Sequence, residues 1–139
     1  MSDDPLASIP DLPTVTGGDC HDPALVVQGE IVHLAWARDR LLHHIRMVGG
    51  AWQVASRFAA GEQPVIAAGP GNILHCLFAN WFLGNCEIYH IVHDGERWGF
   101  PVWVSRTPGV STQPALAVDP TGAPHAVWAD DTPGRPIIY

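Results

Sequence analysis

Asp22-Pro-Ala-Leu-Val-Val27, Gln63-Pro-Val-Ile-Ala-Ala68 and Gln113-Pro-Ala-Leu-Ala-Val118 are three versions of one phrase. Each leads into an apolar run with a histidine inside it: Ile31-Val-His-Leu-Ala-Trp-Ala37, Ile73-Leu-His-Cys-Leu-Phe-Ala79 and Ala123-Pro-His-Ala-Val-Trp-Ala129. His33, His75 and His125 therefore hold equivalent places, and the chain reads as a repeat protein. Pro23, Pro64 and Pro114 are spaced by 41 and then 50 residues, a period that suits four-stranded propeller blades. Helical repeats of similar length are excluded, because the units are short β-branched and aromatic runs broken by Gly, Pro, Asn and Asp, with no sustained 3.6-residue stripe.

The second unit predicts four strands, a near Pro64–Ala68, b near Ile73–Ala79, c near Glu87–His93 and d near Phe100–Ser105. Gly69-Pro-Gly-Asn72 would turn a into b, Asn80–Asn85 would link b to c, and His93-Asp-Gly-Glu-Arg-Trp98 would close the c to d hairpin. The first unit repeats the last turn as Val48-Gly-Gly-Ala-Trp52. The third ends at Pro136-Ile-Ile-Tyr139, with strand c short and strand d missing, whereas Pro10–Thr16 precede the first strand a just as a d strand would.

The expected organisation is thus a tail over 1–9, a leading d strand and connection over 10–21, and blades over 22–62, 63–112 and 113–139. Three blades are fewer than the four to eight that close a ring. The expectation is a homodimer in which two chains exchange their leading strands and form a six-bladed propeller with two-fold symmetry. A larger ring, or a chain that is part of a longer propeller, are the alternatives.

Composition narrows the functional classes. Fourteen acidic residues against seven arginines and no lysine give a formal charge of −7, which opposes binding to nucleic acid. No span resembles a membrane helix or a signal peptide, so no membrane association is expected and the expected compartment is the cytoplasm, with secretion by another route left open. Three cysteines, Cys20, Cys76 and Cys86, fit a reduced compartment and lack metal-site spacing. Neither a cofactor nor a metal is expected. The six tryptophans suit packing between blades; Trp36, Phe78 and Trp128 hold matching positions.

The turn Asp94, Gly95, Trp98 resembles the Asp-box of BNR repeats in sialidase-type and lectin propellers, with His93 where the pattern has Ser or Thr, and only Gly49, Gly50 and Trp52 kept in the first unit. The architecture is also similar to small fucose-binding lectins, which build six-bladed propellers from short chains. That resemblance implies sugar bound between adjacent blades by an arginine, a glutamate and aromatic rings, with no individual residue carried over.

In a four-stranded blade, the b to c loops and the d to a connections emerge at one mouth of the channel. They nominate Arg38, Asp39, Arg40, Asn80, Trp81, Phe82, Asp130 and Asp131, together with Asp19, His21, Asp22, Glu62, Gln63 and Gln113. The leading expectation is a non-enzymatic, lectin-like module binding carbohydrate or another small polar molecule there. One alternative is a small-molecule lyase, isomerase or hydrolase using His21 with Asp22 or Asp130 as acid and base; another is a protein-interaction scaffold. The repeated histidines read as structural, and His43, His44, His90 and His93 are expected beside strand c, toward the blade exterior.

Overall fold

The computed structural model describes residues 19–139. These residues are all-β and form three antiparallel sheets. The first contains β1 (Cys20–Gln28), β2 (Ile31–Arg38), β3 (Leu41–Val48) and β4 (Ala51–Trp52), with β5 (Ser56–Ala60) also pairing with β3. The second runs β6 (Glu62–Ala68), β7 (Leu74–Phe82), β8 (Asn85–His93) and β9 (Val102–Trp103), and the third β10 (Ser111–Val118), β11 (Pro124–Asp130) and β12 (Ile137–Ile138). No described helix is long and apolar enough to cross a membrane. The expected leading strand at Pro10–Thr16 lies outside the described residues.

The three phrases open β1, β6 and β10, and each breaks register at the same place. The pairing of β1 with β2 shifts between His21 and Ala24, that of β6 with β7 between Glu62 and Val65, and that of β10 with β11 between Thr112 and Ala115. At each bulge the residue before the proline is left-handed: Asp22, Gln63 and Gln113 have φ of 54°, 54° and 55°. A non-glycine residue accepts that conformation only where surrounding contacts hold it. Here a hydrogen-bond ladder does so. The amide of Gln63 donates to Asp22 Oδ2 at 3.1 Å, and the amide of Gln113 donates to Gln63 Oε1 at 2.7 Å. Each bulge is thereby stitched to the bulge of the preceding sheet.

The middle sheet is covered on both sides. Ala35, Ala37 and Leu42 meet Ile66, Cys76, Phe78 and Ile91 in one core, and Leu77, Ala79, Cys86 and Ile88 meet Leu116, Ala126 and Trp128 in the other. Strand alternation separates Cys76 from Cys86: they face opposite cores, and both are free thiols. Burial pushes the Cys86 thiol up to about 11, with Glu62 and Glu87 adding to the shift.

Two expected boundaries move. The b to c connection of the second sheet is not a six-residue loop at Asn80–Asn85, because β7 continues through Phe82 and the turn is Leu83-Gly84, both left-handed at φ 51° and 79°. That geometry lets two residues close the hairpin, so Asn80, Trp81 and Phe82 sit on strand β7. The d strand at 100–105 contracts to Val102–Trp103, and at the corresponding place in the first sheet there are two short strands, β4 and β5.

Candidate functional site

The histidines organise the boundary between the first and second sheets. Cα pairing sets His44 on β3 opposite Ala35, two residues beyond His33 on β2, so both rings stand on the face turned to the second sheet. Contrary to the expected exterior placement, His44 and His93 are buried, each 5% exposed. Aromatic rings from both sheets cover them: Trp98, bridged to His93, meets both edge-on, and Phe58 of β5 stacks on Trp98 with centroids 4.1 Å apart.

Trp98 fixes the tautomers of His44 and, through it, of His33, since an indole nitrogen can only donate. Its Nε1–H lies 3.3 Å from His44 Nδ1, so that atom accepts and the His44 proton resides on Nε2. His44 Nε2–H then donates to His33 Nδ1 at 2.9 Å, and His33 Nε2–H to Gln28 Oε1 at 3.2 Å. Gln28 Nε2 ends the relay on Ile73 O at 2.7 Å. A second proton on either ring would leave two donors facing each other. Burial, first, and then neighbouring His93 and Arg46 lower the His33 pKa to about 4. Burial followed by His33, His93 and Arg46 lowers that of His44 to about 3.

The pair recurs in the second sheet, where His75 Nδ1 lies 3.0 Å from His90 Nε2 and the rings stack within 7°. His125 instead meets Asp119 Oδ2 at 2.8 Å. The paired nitrogens are hydrogen-bonded to each other, and among the described residues no group of three or more His, Cys, Asp or Glu side chains converges to hold a metal ion.

Beside the relay, a cleft of about 190 Å³ opens between the sheets. The first sheet and its β4–β5 link contribute His44, Arg46, Gln53, Val54 and Ser56, and the second contributes His93 and Glu96. His93 accepts the Gly95 amide at Nδ1, where the Asp-box pattern would place a hydroxyl, so its proton is on Nε2. Burial and Arg46 hold His93 below the usual histidine range, against Asp94. Asp94 Oδ1 accepts the amides of Glu96 and Arg97, which sets the turn that carries Glu96. The cleft thus brings together a cation, a carboxylate, a neutral imidazole, an amide and a hydroxyl.

The residues nominated from sequence gather at the opposite end of the strands, as the pairings Cys20–Arg38, Glu62–Ala79 and Ser111–Asp130 require. Asp22 and Gln63 are acceptors of the bulge ladder, Gln113 donates its amide to it, and Arg38 meets Asp39 at 3.4 Å. Asp39 and Arg40 form the exposed β2–β3 turn; Trp81 and Phe82 are exposed and Asn80 half-buried on the end of β7. His21 Nε2 lies 3.7 Å from Asp22 Oδ2, whereas Asp130 is buried among Thr107, Ser111 and Thr132. Asp131 Oδ1 accepts the Val110 amide at 2.6 Å.

Burial opposes ionisation of Asp130, yet the hydrogen bonds from Thr107, Thr132 and Ser111 outweigh it and hold the carboxyl well below its ordinary range. Glu87, also buried, accepts Asn85 Nδ2 at 2.9 Å and the Ser105 hydroxyl. Arg46 and Gln53 escaped sequence reasoning because Glu96, which completes the cleft with them, comes from a different sheet. The available signal was a further histidine in each of the first two units, His44 and His90, at the same register beyond His33 and His75. No protein-family model matches this sequence, and comparison with curated proteins finds no significant match.

Proposed function

We propose that this chain is a carbohydrate-binding module of β-propeller type, its three sheets serving as three blades of a six-bladed ring made by two copies. The cleft between the first two sheets is its sugar site. The observation that carries the reading is that Arg46 and Glu96, from adjacent sheets, line one cleft, with Phe58 and Trp98 packed edge-on to His44 behind its lining. Sugar hydroxyls both donate and accept, and the cleft offers donors in Arg46 and His93 Nε2–H, an acceptor in Glu96, and both in Gln53 and Ser56. An arginine and a glutamate between neighbouring blades are also part of what the resemblance to small fucose-binding lectins implies.

At about 190 Å³ the cleft is smaller than the roughly 300–1,000 Å³ that drug-sized ligands occupy, so it suits a single sugar ring. The site is not repeated: register places Val92 opposite His75 where Arg46 stands opposite His33. One chain has one site of this composition among its described residues. Calorimetric titration against a monosaccharide panel tests the reading, with Arg46→Ala and Glu96→Gln expected to abolish binding and Trp81→Ala to leave it intact. Absence of binding at millimolar concentration to every member would overturn it, and loss in Trp81→Ala alone would move the site to the other end.

A further inference from the structure

Among the described residues, the two outer sheets each leave one face without the partner that the middle sheet enjoys. On the face that looks back along the chain, Pro23, Leu25 and Val27 of β1 are exposed, Leu25 at 64% and Val27 at 61%. Their equivalents Pro64 and Ile66 are buried, Ile66 at 9%, because the first sheet covers them. On the face that looks forward, Ala115, Ala117 and Val127 of the third sheet are exposed, Val127 at 46%, while Leu77, its counterpart, is 2% exposed. The same positions are therefore core where a neighbouring sheet exists and bare where it does not.

The bulge ladder ends in the same way. Asp22 receives the Gln63 amide and Gln63 receives the Gln113 amide, but Gln113, third in line, has no following bulge among the described residues to receive. Its amide side chain carries the same Oε1 acceptor as Gln63. Asp22, first in line, has no preceding sheet among the described residues to which its own amide could donate.

We propose that the forward face of the third sheet docks on the backward face of the first sheet of a second copy, with Gln113 Oε1 accepting the partner's Asp22 amide and Leu25 and Val27 covering Ala115, Ala117 and Val127. This rests on the propeller reading above and specifies its joint. The occupant is a second copy because the two faces repeat the halves of the interfaces already inside the chain. The larger backward-facing side chains, Leu25 like Ile66 and Leu116, meet the smaller forward-facing alanines. Pairing through unlike faces makes two identical joints in a two-fold dimer, and an unclosed array if the rotation per sheet does not sum to a ring.

Native mass spectrometry of two variants tests this joint. Leu25→Asp alters only the backward face and Ala117→Arg only the forward face; each charge, buried unpaired in both joints of its own dimer, should weaken association on the order of a hundredfold and leave monomers. Mixed in equal amounts, the variants should form a dimer containing one of each, since one joint is then unaltered and the other sets Asp against Arg. Gln113→Ala should weaken the wild-type dimer about tenfold.

A dimer that survives Ala117→Arg alone would overturn the proposal, because the copies would then be joined through their like, backward faces. A monomeric wild type would overturn it too. Wild-type assemblies longer than two, combined with the mixed dimer, would support the joint while removing the six-bladed ring. Sugar titration of the monomeric variants reads the cleft separately, because all of its lining residues belong to one chain.

Discussion

The indole N–H of Trp98 lies 3.3 Å from His44 Nδ1, across the boundary between two sheets, and by that single contact dictates where the protons of His44 and His33 reside and that Gln28 Oε1 accepts at the end of the relay. Both rings are therefore held neutral in the folded chain. Their folded pKa values, about 4 and about 3, lie below the 6.5 of an unfolded chain, so between those limits the unfolded state binds more protons. The stability contributed by the neutral relay is complete above pH 6.5 and is lost as the pH falls through this window. His44 alone should account for about 3 kcal/mol between pH 8 and pH 4. Urea midpoints across that range should fall accordingly, and His44→Leu should flatten the slope.

Asp130 contributes in a separate window. Its folded pKa is depressed, so its contribution is complete above about 3.8 and disappears only at stronger acidity. Asp130→Ala removes bonds of 2.6, 2.7 and 2.8 Å to Thr107, Ser111 and the Thr132 amide and leaves the Ser111 hydroxyl buried. A loss of about 3 kcal/mol in denaturant unfolding is expected, whereas His21→Ala, at an exposed site, should cost less than about 0.5 kcal/mol.

Gly61 stands where the first sheet passes into the second. A Cβ there would come within 2.6 Å of Phe78 Cδ2 and 2.8 Å of the Ala79 carbonyl, at a φ of 153° that side-chain-bearing residues rarely adopt. Gly61→Ala should destabilise by at least about 2 kcal/mol, visible as an early thermal transition. Gly29→Ala is the control for conformation without crowding, because nothing lies within 4 Å of its added carbon.

The β2–β3 turn holds two non-glycine residues, Asp39 and Arg40, left-handed at φ 52° and 58°. Asparagine followed by glycine favours this turn. The double change Asp39→Asn, Arg40→Gly should stabilise by about 1 kcal/mol, a rise in Tm of about 4 °C for a chain of this size. Sugar titration of the same variant should be unchanged, because the turn lies at the end of the strands away from Arg46.

Trp128 buries its Nε1 without a hydrogen-bond partner, and Phe78 occupies the equivalent place one unit earlier. Trp128→Phe removes the unpaired donor as well as volume and should cost less than about 1.5 kcal/mol. Phe78→Ala, which empties the fully buried centre of the first core, should cost about 4 kcal/mol. Chemical denaturation of the two variants side by side checks the contrast.

Much of the architecture was legible because strand alternation and repetition are local. The three Xaa-Pro phrases mark the openings of β1, β6 and β10, and His33, His75 and His125 stand at matching register on β2, β7 and β11. The short Leu83-Gly84 turn was not legible. Whether Asn80–Phe82 continue a strand depends on pairing with Glu87, Cys86 and Asn85, a cross-strand match that composition leaves open.

By itself the sequence determined an all-β chain of three related units, the proline phrases that open them and the equivalence of their histidines, since each follows from short-range patterns. Tertiary structure alone decided that Arg46 and Glu96 share a cleft, that Trp98 sets the tautomer of His44, and that Asp22, Gln63 and Gln113 form one ladder. These relations join residues 41 to 54 positions apart, and only the packing of one sheet on the next brings them within reach.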